Sequence, residues 1–182
     1  MARMKFLCDA ERCIECNGCV TACKNENEVP WGVNRRRVVT LNDGEPGEKS
    51  ISVACMHCTD APCSAVCPVD CFYTTDDGIV LHDKDLCIGC GYCVMACPYG
   101  VRFFHPVHKV ADKCNFCYHR ITKGMDPACV QSCPFGARRI ANLRDPDDPV
   151  TKLIKTERVS VLKDEYGTKP HVFYLGLDAN VR

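Results

Sequence analysis

Sixteen of the eighteen cysteines in this 182-residue chain fall into four groups of four. The groups are Cys13, Cys16, Cys19 and Cys23; Cys55, Cys58, Cys63 and Cys67; Cys87, Cys90, Cys93 and Cys97; and Cys114, Cys117, Cys129 and Cys133. Every group opens with C-x2-C and closes with C-x3-C, and three closing cysteines are followed by proline, at Pro68, Pro98 and Pro134. Disulfides, zinc and iron–sulfur clusters all use thiols at such density. A C-x2-C disulfide closes too small a loop to remove much entropy from the unfolded chain. Zinc ribbons separate two C-x2-C knuckles by a longer stretch. Here Cys13, Cys16 and Cys19 crowd into seven residues, as do Cys87, Cys90 and Cys93. Three thiolates so spaced wrap three corners of a cube, while the fourth, four residues on, faces away on a helical turn. The run C-x2-C-x2-C-x3-C-P is the signature of two-cluster ferredoxins, whose fourth cysteine ligates the other cluster. Sixteen thiolates suffice for four [4Fe–4S] clusters, and a chain with little else is built to move electrons.

The second group widens its middle gap to C-x4-C, and the fourth to eleven residues between Cys117 and Cys129. Both keep the outer spacings, which reads as a bulge and a loop in one scaffold. No ligand is missing, so nothing indicates a three-iron cluster. Much of the interior would be filled by clusters, so folding is expected to depend on their insertion.

The rest of the composition excludes more than it proposes. Lys plus Arg and Asp plus Glu balance at 23 each, which removes the global basic field of a nucleic-acid binder. The one dense basic run, Arg35 to Arg37, reads as a solvated strand or loop face, with a docking contact as its rival. No apolar stretch reaches membrane-spanning length; the longest candidate, Cys93 to Phe104, is broken by Pro98 and Arg102. The start, Met1 to Cys8, lacks the apolar run of a secretory signal. No nucleophile constellation stands apart from the cysteines, and Gly89 and Gly91 belong to a cluster loop, not a nucleotide-binding turn. The chain is therefore not read as an enzyme by itself. Cys8 and Cys71 read as small buried apolar residues, with a ligand role the alternative for Cys71. His57 reads either as a donor to a cluster sulfur or as a partly exposed loop residue. Trp31, the only tryptophan, reads as a packing residue, with a subunit contact as the rival.

The elements that must position these thiols are short. Two β-branched runs, Arg37–Leu41 and Ser50–Val53, flank a Gly/Pro/Asp-rich turn and predict a hairpin. Gly78–His82 predicts a short strand after the Asp76–Gly78 turn, of the kind that in ferredoxins pairs with the other half. Short helices are expected after each third cysteine, three of them ended by the prolines. Asp148-Pro149 predicts a helix start, with the helix running from about Val150 to Glu157. His171–Leu175 reads as a strand.

Taken together, the four groups, the phrase Cys55-Met56-His57-Cys58 with Pro62-Cys63, the phrase Lys113-Cys114-Asn115-Phe116-Cys117 and the ending Gly167 to Leu175 resemble a known family. It is the four-cluster iron–sulfur (beta) subunit of molybdenum and tungsten pterin oxidoreductases. Cys13 to Cys19 and Pro30 to Val39 look most like the beta subunits of formate dehydrogenases. The resemblance implies an α+β fold of two nested ferredoxin-like double-cubane modules. Module A would comprise residues 1–23 and 99–137, and module B residues 55–98. A hairpin insertion would occupy residues 24–54 and a C-terminal cap residues 138–182. The family's ligand scheme, carried onto matching positions, is crossed. Cys13, Cys16 and Cys19 would be completed by Cys133, and Cys55, Cys58 and Cys63 by Cys97. Cys87, Cys90 and Cys93 would be completed by Cys67, and Cys114, Cys117 and Cys129 by Cys23.

The implied partner is a molybdenum or tungsten pterin catalytic subunit that oxidises formate. A membrane cytochrome b, a quinone-site anchor or a soluble carrier would accept the electrons. The chain would lie peripheral to the inner membrane, at its periplasmic face by co-export, with no transmembrane helix of its own. The alternatives are the same relay in a dimethyl sulfoxide or polysulfide reductase, a free polyferredoxin, and a zinc-stabilised interaction module.

Overall fold

The computed structural model describes residues 4–177. Positions 1–3 and 178–182, which the sequence reading gave to the ends of module A and of the cap, lie outside the described residues. In chain order the first elements are β1 (Met4–Asp9), α1 (Gly18–Glu26), β2 (Arg36–Leu41), β3 (Lys49–Ala54), α2 (Pro62–Ala65), β4 (Phe72–Thr74), β5 (Val80–His82) and α3 (Tyr92–Met95). Then follow β6 (Phe103–Phe104), β7 (Ala111–Asp112), α4 (Tyr118–Ile121), α5 (Ala128–Gln131), β8 (Arg138–Asn142), α6 (Pro149–Thr156), β9 (Val159–Ser160) and β10 (Val172–Leu175). The result is a small α+β fold.

The four cysteine groups share one local design. Each third cysteine, Cys19, Cys63, Cys93 and Cys129, is the second residue of its helix. The helices therefore run over the third cysteine, where the sequence placed them after it. Helix α1 lasts nine residues, whereas α2, α3 and α5 stop after four. The residue after the fourth cysteine accounts for this. Lys24 lets α1 continue, whereas Pro68, Pro98 and Pro134 remove an amide donor and push the residue before them out of the helical region.

Strands β2 and β3 form the expected antiparallel hairpin, with Arg36 opposite Ala54 and Leu41 opposite Lys49. Strand β5 pairs with β4 just before it, from Phe72 opposite His82 to Thr74 opposite Val80. The Asp76–Gly78 turn thus closes a local hairpin instead of joining two halves. Helix α6 starts as predicted: Asp148 Oδ1 accepts from the Thr151 amide at 2.6 Å, with Pro149 in the first turn.

The largest sheet has the order β8-β1-β10-β9. Strand β1 lies antiparallel to β8 and parallel to β10, with Phe6 opposite Val172 and Asp9 opposite Leu175. The segment read as a cap therefore takes the N-terminal strand between two of its own. Phe6, Leu7, Ala141, Val172 and Tyr174 are buried there. Cys8 is fully buried and its Sγ accepts from the Ser52 amide at 3.4 Å, while Tyr174 donates to the Ser52 carbonyl at 3.3 Å. These contacts tie the sheet to the β2–β3 hairpin and make Cys8 a packing residue.

His171 enters this sheet buried. Its ring bonds Thr59 Oγ1 at 2.8 Å and the Gly78 carbonyl at 3.1 Å. Burial, reinforced by the Lys5 charge, lowers its pKa from 6.5 to about 4. The folded state holds the ring neutral while the unfolded chain protonates, so stability falls as pH drops from 6.5 towards 4. By about pH 5 the loss attributable to His171 is expected to reach about 2 kcal/mol. Urea unfolding of the wild-type chain and of His171→Gln at neutral pH and at about pH 5 checks this. An equal acid loss in both chains would remove the histidine as the cause.

Candidate metal-cluster sites

The loop after each first cysteine turns through a left-handed residue at the second position on. These are Glu15 (φ 57°), His57 (φ 47°), Gly89 (φ 70°) and Phe116 (φ 61°). Three are not glycine, and such backbone costs on the order of 1 kcal/mol or more each. The turn aims an amide back at the thiol: His57 N–H lies 3.5 Å from Cys55 Sγ, and Phe116 N–H lies 3.4 Å from Cys114 Sγ. The Glu15 amide bonds Cys13 in the same way. Only Gly89 could have signalled this turn from sequence, and it has a second reason to be glycine, since a Cβ there would sit 2.6 Å from the Lys109 carbonyl oxygen.

Two cavities are walled by four cysteines each. One is lined by Cys55, Cys58, Cys63 and Cys97, with Met56, His57, Tyr99 and Arg102. The other is lined by Cys13, Cys16, Cys19 and Cys133, with Ser52 and Arg138. Around Cys23 the neighbouring thiols are Cys114, Cys129 and Cys117. Asn27 Nδ2 reaches Cys23 Sγ at 3.8 Å and Cys117 Sγ at 3.9 Å. Cys93 lies in the field of Cys87 and Cys90. Cys67 reaches this last set through Cys71, whose Sγ is 3.3 Å away and which also neighbours Cys87. Cys97 thus lines the cavity of the second group, Cys133 lines that of the first, and Cys23 neighbours the thiols of the fourth.

Burial raises several of the thiols, whereas Arg36 and Arg138 draw Cys129 down. Burial pushes Cys58 up to about 11, opposed by a Thr168 hydrogen bond and reinforced by Cys55, Cys63 and Cys97. It pushes Cys23 up to about 12, with Cys114 adding to the shift and Arg36 opposing it. Thiols held protonated so firmly need a strong Lewis acid to become ligands. The donor set is four soft sulfurs per site, suited to iron–sulfur clusters or zinc.

The buried donors around the sites discriminate between these groups. Arg36 Nε and NH2, Arg102 NH1, Arg138 Nε and NH1 and His57 Nε2 have no partner within the protein. His57 Nδ1 accepts from the Val80 amide at 3.2 Å, which leaves the ring proton on Nε2. A zinc tetrathiolate offers such donors only its four ligand sulfurs. A [4Fe–4S] cluster adds inorganic sulfides as acceptors, and the residues present fit it.

Several expectations change. Arg35 and Arg36 are buried, so the basic run is not a solvated face: Arg35 NH2 pairs with Asp112 Oδ2 at 3.0 Å, and only Arg37 is exposed. His57 is 1% exposed, against the partly exposed loop alternative. Trp31 is 93% exposed, with only Lys24 Nζ over its ring at 5.8 Å, so it does not pack into the core. Cys71 is buried as expected, yet its sulfur, His82 and Cys87 offer ligand atoms within 4.8 Å of one another.

Comparison with known proteins is consistent with these sites. The 4Fe-4S dicluster domain family matches residues 49–143. The formate dehydrogenase iron-sulfur subunit of Wolinella succinogenes is 49% identical, covering 92% of either chain. A tetrathionate reductase subunit of Salmonella typhimurium is 43% identical over 97% of this chain and 73% of its own. A polysulfide reductase chain of Wolinella succinogenes is 39% identical over 91% of this chain and 90% of its own.

Proposed function

This protein belongs to the 4Fe-4S dicluster family, among the iron–sulfur electron-transfer subunits of molybdenum-pterin oxidoreductases, and from that premise we propose that it serves a formate dehydrogenase. The observation that carries this reading is the 49% identity to a formate dehydrogenase subunit over nearly the whole of both chains. It exceeds the 43% and 39% shared with the tetrathionate and polysulfide reductase subunits.

Within this reading the crossed ligand scheme holds. The four-cysteine linings of the two cavities support it, as do the neighbours of Cys23. Modules A and B are then nested, each holding two clusters, with the β2–β3 hairpin inserted between groups one and two. Among the described residues no helix is long and apolar enough to cross a membrane. Attachment at the periplasmic face of an inner membrane would come through an anchor or cytochrome b partner. Fractionation of cells with and without that partner tests this, and an unchanged distribution removes it.

When bound, [4Fe–4S] clusters supply one-electron redox chemistry whose potential follows charge, sulfur hydrogen bonds and burial. The chain's own residues set those conditions. Sixteen thiols hold the groups, and the left-handed loop residues aim amides at ligand sulfurs. Arg102 NH2 donates to Cys63 Sγ at 2.7 Å, a charge-assisted bond that favours the more negative state. Apolar walls such as Met56, Tyr99 and Val101 keep water from the cavity of Cys55. No residue holds or moves a proton in this account, and the substrate chemistry belongs to the catalytic partner.

The test is anaerobic. The chain, purified from its native cells with whatever stays bound, is expected to lose its brown absorbance on adding formate. Full bleaching by dithionite with none by formate would overturn the formate assignment and favour a sulfur-oxyanion or polysulfide reductase partner.

A further inference from the structure

Each junction between thiol sites holds a buried cation. Arg36, 2% exposed, donates from NH1 to Ser52 Oγ at 2.8 Å, and that hydroxyl lies 3.4 Å from Cys19 Sγ of the first site. On its other side stand Cys129, Cys114 and Cys23 of the site filled by group four. Arg138 joins it there, lining the cavity of Cys13 with its charge facing Cys129. Lys113 Nζ donates to the carbonyls of Val80 and Cys114 and faces Cys55 and Cys63, between the sites of groups four and two. Arg102, 7% exposed, donates to Cys63 Sγ at 2.7 Å on one side and its charge faces Cys93 on the other, between the sites of groups two and three.

A buried guanidinium without a counter-charge is strongly destabilising. No carboxylate among the described residues pairs with Arg36 or Arg102. Phe72 stacks beneath Arg102, 4.5 Å from its centre, and supplies only a ring face. The leftover donors, Arg36 Nε and NH2 and Arg102 NH1, find no acceptor in the protein. The leading negative partners of both arginines are cysteines of the thiol sites. A guanidinium stays charged at any working pH, so its field on those sites is fixed.

We propose that Arg36 and Arg102 are shared potential-setting residues, each guanidinium serving two neighbouring clusters at once. Reduction adds negative charge, and a fixed cation in low dielectric stabilises it. Sharing one cation raises both members of a pair together, so both accept an electron more readily. Arg102 serves the pair of groups two and three, and Arg36 the pair of groups one and four. The assignment of pairs rests on the crossed ligand reading above.

Arg102 gives the cleaner test, because no second arginine shares its junction. The full chain with its bound partners is titrated potentiometrically and followed by low-temperature EPR, as wild type, Arg102→Leu and Arg102→Lys. In Arg102→Leu two midpoints are expected to fall. At a fixed poise the reduced-to-oxidised ratio of each should drop about tenfold, or about 59 mV for one electron. Iron content and the remaining midpoints should stay unchanged, and Arg102→Lys should recover most of the shift. Midpoints that stay put at full iron content overturn the proposal, as does a shift confined to one cluster. If Arg102→Leu loses iron, Arg102→Gln, which keeps a donor and drops the charge, is titrated in its place. Iron loss there too, with the lysine variant intact, overturns potential setting in favour of a purely structural role. An error in the ligand scheme shows separately, in the Cys23→Ser chain, whatever the arginine variants do.

Discussion

Cys23→Ser is expected to damage the cluster held by Cys114, Cys117 and Cys129 and to leave that of Cys13, Cys16 and Cys19 intact. Four residues along an α-helix advance about 6 Å, so α1 carries Cys23 a full turn beyond Cys19. Helix α1 packs against α5, which bears Cys129. Cys23 is buried there with Cys114, Cys129 and Cys117 as its thiol neighbours, and Asn27 reaches both Cys23 and Cys117. Serine offers a harder oxygen with a much higher pKa, a poor substitute for a soft thiolate on iron. The expected result is loss of one iron per chain, leaving a three-iron cluster, or of about four if the whole group is lost. Iron analysis gives the number, and EPR of partially reduced samples says which cluster is altered. A variant in which only the first-group signal changes would end the crossed scheme.

Stripping iron from the native chain is expected to unfold most of it. Among the described residues, eleven of the thirty-three buried apolar positions are cysteines, and nine of those belong to the four groups. Without clusters these positions contribute small thiols where the fold needs bulk and ligation. Arg36 and Arg102 would then stand buried with no counter-charge, a penalty of about 3–5 kcal/mol each. Two such penalties approach the whole stability of an ordinary domain, about 5–15 kcal/mol. Hydrogen exchange before and after anaerobic chelation should show protection lost first in Gly18–Glu26, Pro62–Ala65, Tyr92–Met95 and Ala128–Gln131. Protection in β1, β8 and β10 should fade last, because Phe6, Leu7, Val172 and Tyr174 give that sheet a core of its own. Protection of all these segments unchanged after iron removal would show that the polypeptide folds without its cofactor.

The chemistry of the chain was legible in its sequence because the spacing of soft ligands is a local property. C-x2-C-x2-C fixes how three thiols wrap one group, so the sixteen candidate ligands and the cluster type could be read from short-range geometry. Pro68, Pro98 and Pro134 fixed where three helices stop, the Gly/Pro/Asp-rich turn fixed the β2–β3 hairpin, and Asp148-Pro149 fixed the start of α6. Long-range pairing was another matter. The parallel pairing of Met4–Asp9 with Val172–Leu175 joins residues about as far apart as the chain allows, and nothing in either segment's own pattern names the other. That Cys97 would line the cavity of Cys55, and Cys133 that of Cys13, could be carried over from a family resemblance but not from spacing. Polar residues misled most. Arg35, Arg36, Arg102 and His57 look like surface residues one at a time, yet Arg35 is buried against Asp112, and the other three lie against cysteines brought together from distant parts of the chain. Charge compensation inside a fold depends on which sites become neighbours, and only the tertiary structure decides that.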